Sequence, residues 1–397
     1  MDAIREKVIG DIKETFTSLY LEEPEYIFSC GGRFEILGNH TDHNHGLCLA
    51  SACNLEIIAA VNKGSGKDVL FQSLRFEPDE LDLSDLEPRK TEYATSKGLI
   101  RGVAAYLKEH GYKIGGFSAY SESNIFKGAG VSSSAAFELL VGHIFNVLYN
   151  NGKISQIELC KAGKYAENIF FGKKSGLLDQ IGVGYGGVVE INFEDIENPE
   201  IKQVEFPFTD LHFLLINTGG DHSSLSDLYS SIPSDMLEAA RICGHQYLVE
   251  GSVDELNEHK NELEKNVYLR ALHFYQENLR VTQAIDAIKT NDEELFLKMI
   301  NESRESSTNN LKNMMVDKQY EGSPLEACDL LMKATGNHGA VKINGGGFAG
   351  SVIAFIPSKY LEKAKEKMAD KYGPQNVREI FIREEGPNTL YNRNKEN

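Results

Sequence analysis

Hydrophobic and polar positions along the chain follow two periods, which predicts a mixture of helices and strands. Residues 3–20 repeat their apolar positions with the spacing of an amphipathic helix. Period-two alternation and short apolar runs predict strands in YIFSC, LCLASACNLEIIAAVN, DVLFQSL, GGFSAYSES and GGVVEINF. Helical periodicity marks SKGLIRGVAAYLKEHGY, the segment from GAGVSSSAA to NNG, and ISQIELCKAGKYAENIFFG. The N-terminal half is therefore predicted to be an α+β domain.

The C-terminal half repeats this mixture after a polar stretch, residues 195–206, that predicts a linker. LHFLLINTG predicts a strand, residues 268–303 predict helix, and LEKAKEKMADKYG predicts a charged helix. AVKINGGGFAGSVIAFI predicts a strand, a glycine loop and a second strand. The expected organisation is two α+β domains, residues 1–206 and 207–397.

Composition narrows the possible partners. The chain has 397 residues and a formal net charge of −18, so nucleic-acid backbones and anionic membranes would repel it. The six cysteines form no Cys-x-x-Cys pair, which predicts mostly buried free thiols in a reducing compartment. The N-terminus lacks a signal-peptide pattern and no apolar run reaches the ~18 residues of a membrane span. We expect a cytoplasmic protein with neither nucleic-acid nor membrane partners. The sequence does not indicate whether the chain is a monomer or an oligomer.

The stretch GGRFEILGNHTDHNHG concentrates candidate chemistry between glycines. Its charged, amide and imidazole side chains fit a metal site, a sugar site or a solvated turn. His40, His43 and His45 offer no helical i, i+4 pair, which argues against metal.

Three further stretches carry glycine or carboxylate signals. GAGVSSSAA, Gly128 to Ala136, fits a backbone cradle for phosphate with a serine available for Mg²⁺, or simply a serine helix cap. It lacks the Gly-Lys-Ser/Thr ending of a P-loop. NGGGFAG fits either a β-bulge or the wall of a nucleotide site. In SGLLDQIGVGYGG, Asp179 taken alone fits a helix cap or a solvated loop residue better than a functional carboxylate.

Together, and in this order, these stretches resemble the motifs of the GHMP kinases and, among them, the galactokinases. GGRFEILGNHTDHNHG is similar to the galactokinase signature, GAGVSSSAA to the phosphate-binding motif and NGGGFAGSVIAF to the third motif. AENIFFGKKSGLLDQIG and NTGGDHSSLSDLY are similar to the segments that hold the catalytic carboxylate and a sugar-packing tyrosine. The resemblance implies two α+β domains with the active site in the cleft between them. It implies transfer of the ATP γ-phosphate to the anomeric hydroxyl of galactose, with Mg²⁺.

The resemblance also implies roles for individual residues. Asp179 matches the catalytic carboxylate and Arg33 the arginine beside it. Glu167 and one of the three serines, with Ser133 chosen, match the Mg²⁺ ligands. The ATP phosphates would contact Gly128, Gly130, Ser132, Ser133 and Ser134. The sugar would contact Glu35, Asn39, His40, Asp42, Tyr229 and Gly346, with Gly347 near the same end of the cleft.

Several positions depart from the family pattern. The family residues Asn, Glu and Tyr of the signature are replaced by Glu35, Asn39 and His43. An arginine pair is missing after Tyr229, and the family's Ser-His, Arg and Thr correspond to Ser303-Arg304, Lys342 and Asn344. A kinase for a sugar altered at C6, such as galacturonate or L-arabinose, is therefore an alternative. A galactose- and ATP-binding sensor is a second alternative, but such sensors lack the Ser-Ala pair that is present here as Ser134-Ala135. A mevalonate or homoserine kinase fits the second motif but not the first.

Overall fold

A computed structural model describes residues 2–126, 128–219 and 225–395. Across these ranges the chain forms two β-sheets with helices packed against them. In the same ranges, no helix is both long enough and apolar enough to cross a membrane. All six cysteines are free, and all but Cys243 are buried, as predicted.

The first sheet has eight strands and is mostly antiparallel. Its strands are β1 (Tyr26–Leu37), β2 (Leu47–Lys63), β3 (Asp68–Ser73), β4 (Asp79–Asp82), β5 (Phe117–Ser123), β6 (Val188–Asn192), β7 (Glu200–Val204) and β12 (Asn388–Asn392). The main path runs β12-β1-β2-β5-β3-β4, with β6 paired to β2 and β7. Only β3 and β5 pair in parallel. Nearly every residue of β1 is buried, because both faces of this strand are covered.

Helices cover both faces of this sheet. They are α1 (Asp2–Tyr20), α2 (Ser96–Glu109), α3 (Ser133–Asn150), α4 (Gln156–Tyr165) and α5 (Leu178–Gly184). The first packs through Ile12 and Phe16 on Ile27 and Ile58, whereas α2 to α5 share the core that contains Leu140. The helix predicted through ISQIELCKAGKYAENIFFG is confirmed up to Tyr165, where it continues as a π-helical turn, Ala166–Phe171.

The second sheet has four antiparallel strands. They are β8 (Leu211–Asn217), β9 (Ala340–Asn344), β10 (Ser351–Pro357) and β11 (Val377–Ile380), in the order β11-β8-β10-β9. The helices of this half are α6 (Ser226–Ile242), α7 (Val253–Glu258), α8 (Lys265–Thr290), α9 (Glu293–Ser306), α10 (Pro324–Thr335) and α11 (Ser358–Tyr372). The predicted helix 268–303 is two helices, because Asn291 is left-handed (φ 55°) and ends α8.

The linker predicted at 195–206 is wrong for residues 200–204, which form β7. This strand is an edge strand paired with β6, and its polar composition reflects the open face of the sheet. Near the C-terminus, β12 returns to pair with β1. The division at 206/207 remains a prediction, since residues 388–392 lie in the first sheet.

A shared core joins the two sheets. Phe34 of β1 packs on Phe213 of β8, with ring centroids 5.2 Å apart, and both belong to a core that includes Val281 of α8 and Phe296 of α9. The N-terminal ends of α3 and α5, the turn after β1 and the β9–β10 loop all face this junction. The candidate site lies there.

Candidate active site

A charged pair, Arg33 and Asp179, lies at the base of the site. Arg33 is on β1, and its Nε and Nη2 lie 2.8 Å and 2.7 Å from Oδ1 of Asp179, in the first turn of α5. The other carboxylate oxygen accepts a 2.6 Å hydrogen bond from Ser132. Two predicted catalytic residues, 146 positions apart in the sequence, are thus in direct contact.

The surroundings keep Asp179 ionised. Burial acts to raise the pKa of Asp179, but the charges of Arg33 and Lys173 and the hydrogen bond from Ser132 outweigh it. Its pKa therefore lies below the ordinary value, and the pKa of Arg33 lies above its own. A carboxylate with 23% of its side-chain surface exposed can accept a proton from a group in the cavity.

The predicted phosphate-binding loop lies against β1. The amide of Arg33 donates to the carbonyl of Val131 at 2.9 Å, and this approach requires Gly32, because a Cβ there would lie 2.5 Å from that carbonyl. The loop turns through left-handed residues, Gly128 (φ 79°), Gly130 (φ 70°) and Ser132 (φ 57°), before α3 begins at Ser133. The helix N-terminus is thereby directed at the site.

Contacts from the second sheet fix the same loop. Asn344 donates to the carbonyl of Gly130 at 3.0 Å, and Ser351 donates to that of Ala129 at 2.8 Å. Arg33 Nη1 donates to Gly130 as well, at 2.7 Å. These hydrogen bonds attach the Ala129 and Gly130 carbonyls to β1 and to the second sheet.

Glu167 lies in the π-helical turn and its side chain is completely buried. Its Oε1 accepts hydrogen bonds from Ser134 (2.9 Å) and Lys173 (2.8 Å), and its Oε2 accepts one from Gln180 (3.1 Å). The serine beside Glu167 is therefore Ser134, whereas the predicted metal ligand Ser133 is an exposed residue at the start of α3. The structure pairs Glu167 with a different serine from the one that the sequence analysis chose.

Glu138 is a buried carboxylate that the sequence analysis missed. Gln180 bridges it to Glu167, donating from one amide nitrogen to Glu138 at 2.9 Å. Burial and the nearby charge of Glu167 raise the pKa of Glu138 well above its usual range. The neutral form of Glu138 is therefore favoured at this position.

Five of the six predicted sugar residues, all but Tyr229, border a cavity of about 210 Å³ that opens above the Arg33–Asp179 pair. The lining comprises Arg33, Glu35, Asn39, His40, Asp42, His43, Lys173, Ser175, Gly176, Leu178, Asp179, Gly345 and Gly346. His40 is left-handed (φ 61°), and its Nε2 donates to the carbonyl of Gly346 at 2.8 Å. Burial lowers the pKa of His40 to about 4, so the neutral ring keeps an acceptor nitrogen.

Glu35 and Asn39, two departures from the family pattern, contact one another. Asn39 Nδ2 donates to Glu35 Oε1 at 3.1 Å and to the carbonyl of Gly345 at 2.8 Å, while its Oδ1 accepts from Asn313. Glu35 also forms a buried ion pair with Lys342, at 2.7 Å. Three of the departures, Glu35, Asn39 and Lys342, thus form one network of contacts.

Tyr229 packs on the glycine loop beside the cavity, and its predicted sugar contact stays a prediction. Its hydroxyl donates to the carbonyl of Gly347 at 2.7 Å, and its ring covers Gly346, where a Cβ would lie 2.6 Å away. In the described part of the chain the ring is outside the cavity lining, so Tyr229 supports the glycine loop. Residues 220–224 of NTGGDHSSLSDLY, which the sequence analysis used, lie outside the described ranges.

The turn after β1 is held by α8, whose contribution was not predicted. Glu277 Oε1 accepts from the amides of Gly38 (3.0 Å) and Asn39 (3.4 Å) and from Ser303, while Oε2 accepts from Arg280. Burial acts to raise the pKa of Glu277, but Arg280 chiefly overcomes it and the pKa falls to about 2.

His273 belongs to the same support. Its Nε2 donates to the carbonyl of Asn39 at 3.0 Å, and its Nδ1 accepts from Ser306 at 2.8 Å. Burial lowers the pKa of His273 to about 4. A signal was present in the sequence, because His273, Glu277 and Arg280 repeat with the spacing of the buried face of α8.

His45 contributes to the turn rather than to the cavity, with its ring stacked on Tyr247 at 3.9 Å. His43 is near the rim and 3.8 Å from Asp42. Within the described ranges no three His, Cys, Asp or Glu side chains are grouped closely enough to hold a metal ion.

The chain is similar in sequence to known proteins. Residues 14–63 match the family profile described as the galactokinase galactose-binding signature, and residues 98–187 match the GHMP kinases N terminal domain. A galactokinase of Limosilactobacillus fermentum is 29% identical over 371 residues, covering 91% of this chain and 93% of that protein. A galactokinase of Limosilactobacillus reuteri is 28% identical, covering 90% and 92%.

Solved structures share the fold. Lactococcus lactis galactokinase complexed with galactose superposes with a TM-score of 0.83 at 24% identity, covering 96% of this chain and 99% of that one. The mevalonate kinase of Methanococcus jannaschii gives a TM-score of 0.63 at 15% identity, covering 92% and 99%.

Proposed function

The chain is a galactokinase-like member of the GHMP kinase superfamily, and from this premise we propose that it is a galactokinase. It transfers the γ-phosphate of ATP to the anomeric hydroxyl of galactose and releases ADP. The observation that carries the proposal is the Arg33–Asp179 pair at the base of a polar cavity, beside a helix N-terminus suited to phosphate.

Asp179 acts as the base in this mechanism. Its ionised carboxylate accepts the proton of the anomeric hydroxyl while that oxygen forms a bond to the γ-phosphorus. The bond from the γ-phosphorus to the bridging oxygen breaks, and ADP leaves with the electron pair. Arg33 holds the carboxylate in place and offers positive charge to the transferring phosphate.

The residues around Glu167 fit Mg²⁺. A buried carboxylate oxygen and the Ser134 hydroxyl lie 2.9 Å apart, and the ammonium group of Lys173 already supplies a cation to that oxygen. Oxygen ligands of this kind suit Mg²⁺, which takes its other ligands from phosphates and water. When bound, the ion would neutralise phosphate charge; we assign Glu167 and Ser134 as its ligands. Gly128, Gly130, Ser132 and Ser133 are assigned to the phosphates.

Sugar recognition is assigned to acceptors in the cavity wall. Glu35, His40 and Asp42 offer carboxylate and imidazole acceptors to hydroxyl groups, and Gly346 lets the loop approach closely. The Asn39 amide is engaged by Glu35, Gly345 and Asn313, so its role is to orient Glu35. The buried free thiols support a reducing, cytoplasmic location.

The test is ADP release from Mg·ATP with galactose, galacturonate, N-acetylgalactosamine, L-arabinose and glucose. We expect galactose to give the highest kcat/KM, because Glu35 keeps a carboxylate at the wall. A lead by galacturonate or L-arabinose would contradict this and favour the C6-altered alternative. Galactose binding without turnover of any sugar would instead identify a sensor.

The same five sugars should also be tested with the variant Asn39→Glu. The substitution places a second carboxylate beside Glu35, so we expect galactose kcat/KM to fall by about tenfold. A rise for galactose would mean that position 39 contacts the sugar directly.

A further inference from the structure

Lys173 is a cation of the site to which neither the sequence motifs nor the proposed mechanism gives a catalytic role. It follows Gly172, a left-handed residue (φ 81°) that ends the π-helical turn, and its own amide donates to the Glu167 carbonyl at 3.0 Å. The turn thus directs its side chain to the cavity lined by Arg33 and Asp179.

The side chain contacts the proposed metal ligand directly. Lys173 Nζ lies 2.8 Å from Oε1 of Glu167, the oxygen that also accepts from Ser134. Among the described residues, Lys173 is the sole ion-pair partner of this completely buried carboxylate. A buried carboxylate needs a positive partner, and in this arrangement the lysine is that partner.

The lysine itself is not confined. Its side chain is 54% exposed, while the carboxylate that it pairs with is 0% exposed. A long flexible stem with an ammonium at its end can move several ångströms without disturbing the fold. A divalent cation on Glu167 would replace the lysine as its partner and repel the ammonium at close range.

We propose that Lys173 is a further catalytic residue, which leaves Glu167 when metal and nucleotide bind and stabilises the γ-phosphate during transfer. The proposal rests on the proposed kinase function. A point charge that arrives with the nucleotide acts where negative charge spreads over the phosphate oxygens, and such positioning is the main source of phosphoryl-transfer catalysis. Two cations, Arg33 and Lys173, would then border the transferring group.

The neighbouring Lys174 is a matched control. It is exposed, and within the described ranges it makes no ion pair or side-chain hydrogen bond. Lys173→Met and Lys174→Met therefore remove the same charge from adjacent positions, and only the first removes a cation from the cavity.

Calorimetric titration with Mg·ADP and with a non-hydrolysable Mg·ATP analogue tests the role without turnover. We expect Lys173→Met to lower the preference for the triphosphate over the diphosphate by about tenfold, because the lost charge acts on the γ-phosphate. The kcat for galactose should fall about 100-fold. Lys174→Met should match the wild type in both measurements, and Lys173→Arg should recover part of the preference.

Three results would overturn the proposal. One is equal behaviour of Lys173→Met and Lys174→Met. Another is an equal loss of affinity for diphosphate and triphosphate, since a lysine that only neutralises Glu167 would affect both. A third is a preference for the triphosphate that is as low in Lys173→Arg as in Lys173→Met, provided that Lys173→Arg has the melting temperature of the wild type. The binding experiment contains no sugar, so it stays decisive if galactose is not the substrate.

Discussion

The cavity is bordered by two groups of ion pairs that differ in their access to solvent. On the side of the sugar turn, Glu35–Lys342 and Glu277–Arg280 are sealed, with side chains at most 8% exposed. On the side of phosphate transfer, each pair keeps one open member: Asp179 is 23% exposed beside Arg33 at 8%, and Lys173 is 54% exposed beside Glu167 at 0%. The first group is packed into the cavity wall, where Glu35 reaches the lining, and the second group opens into the cleft.

This difference separates positioning from chemistry. Removing one partner of a sealed pair leaves an uncompensated charge in a medium of low dielectric constant, so the pair cannot change partners. The open pairs can exchange a protein partner for a phosphate, a proton or a cation at small cost. We therefore expect substitutions in the sealed group to affect stability first and those in the open group to affect turnover first.

The largest effect is expected from Asp179→Asn. The amide cannot accept the hydroxyl proton, so kcat should fall by roughly 10³-fold or more, while the ATP dissociation constant changes little. Steady-state kinetics and calorimetric titration measure the two quantities. Asp195→Asn, an exposed residue, is the matched control. Near wild-type turnover in Asp179→Asn would leave Arg33 as the principal catalyst.

Glu277→Gln removes the charge of one sealed ion pair, Glu277–Arg280, and should destabilise the fold. It leaves Arg280 buried without its counter-charge and weakens the hold on the amides of Gly38 and Asn39, so unfolding free energy should fall by about 3–5 kcal/mol. Urea denaturation gives the value. Adding Arg280→Met should restore part of the stability. A single-variant loss below about 1 kcal/mol would mean that the pair is not sealed in solution.

A smaller effect is expected from substitutions of the serines in the phosphate loop. Ser134→Ala should raise the Mg·ATP requirement about tenfold, because its hydroxyl lies beside Glu167, and sugar affinity should be unchanged. Ser133→Ala should change this requirement less than threefold. Titration of Mg²⁺ at fixed ATP distinguishes them. The reverse order would restore Ser133 as the ligand.

The smallest effect concerns pH. Burial lowers the pKa of His273 to about 4, whereas the unfolded chain binds that proton near pH 6.5. The contribution of the neutral His273 ring to the free energy of unfolding is therefore fully present above pH 6.5 and is lost as the pH falls toward 4. Between pH 7 and pH 5.5 the free energy of unfolding should fall by about 1 kcal/mol. Urea denaturation at both pH values should show a smaller loss in His273→Gln. An identical loss would assign the effect to other groups, such as His40.

Local sequence was enough to predict most elements and the central residues of the site. The strand–loop–helix pattern around GAGVSSSAA and the strand–loop–strand pattern around NGGGFAG are confirmed. Both patterns depend on glycine and on hydrophobic period, which act within a few residues. Hydrophobic period also predicted α1. An edge strand such as β7 has too few apolar positions to be distinguished from a linker by sequence.

What the sequence determined by itself was which chemical groups are available, namely Arg33, Asp179, Glu167, the serines and the glycines of the loops. Only the tertiary structure decided how they are paired. Glu35 and Lys342 are 307 residues apart, Glu277 reaches the amide of Gly38 from 239 residues away, and Ser134 rather than Ser133 faces Glu167 because α3 turns by about 100° per residue. Burial then distinguished the pairs. In the sealed pairs both members are shielded from solvent and hold the cavity wall in place, whereas each open pair keeps one member, Asp179 or Lys173, exposed to the cleft.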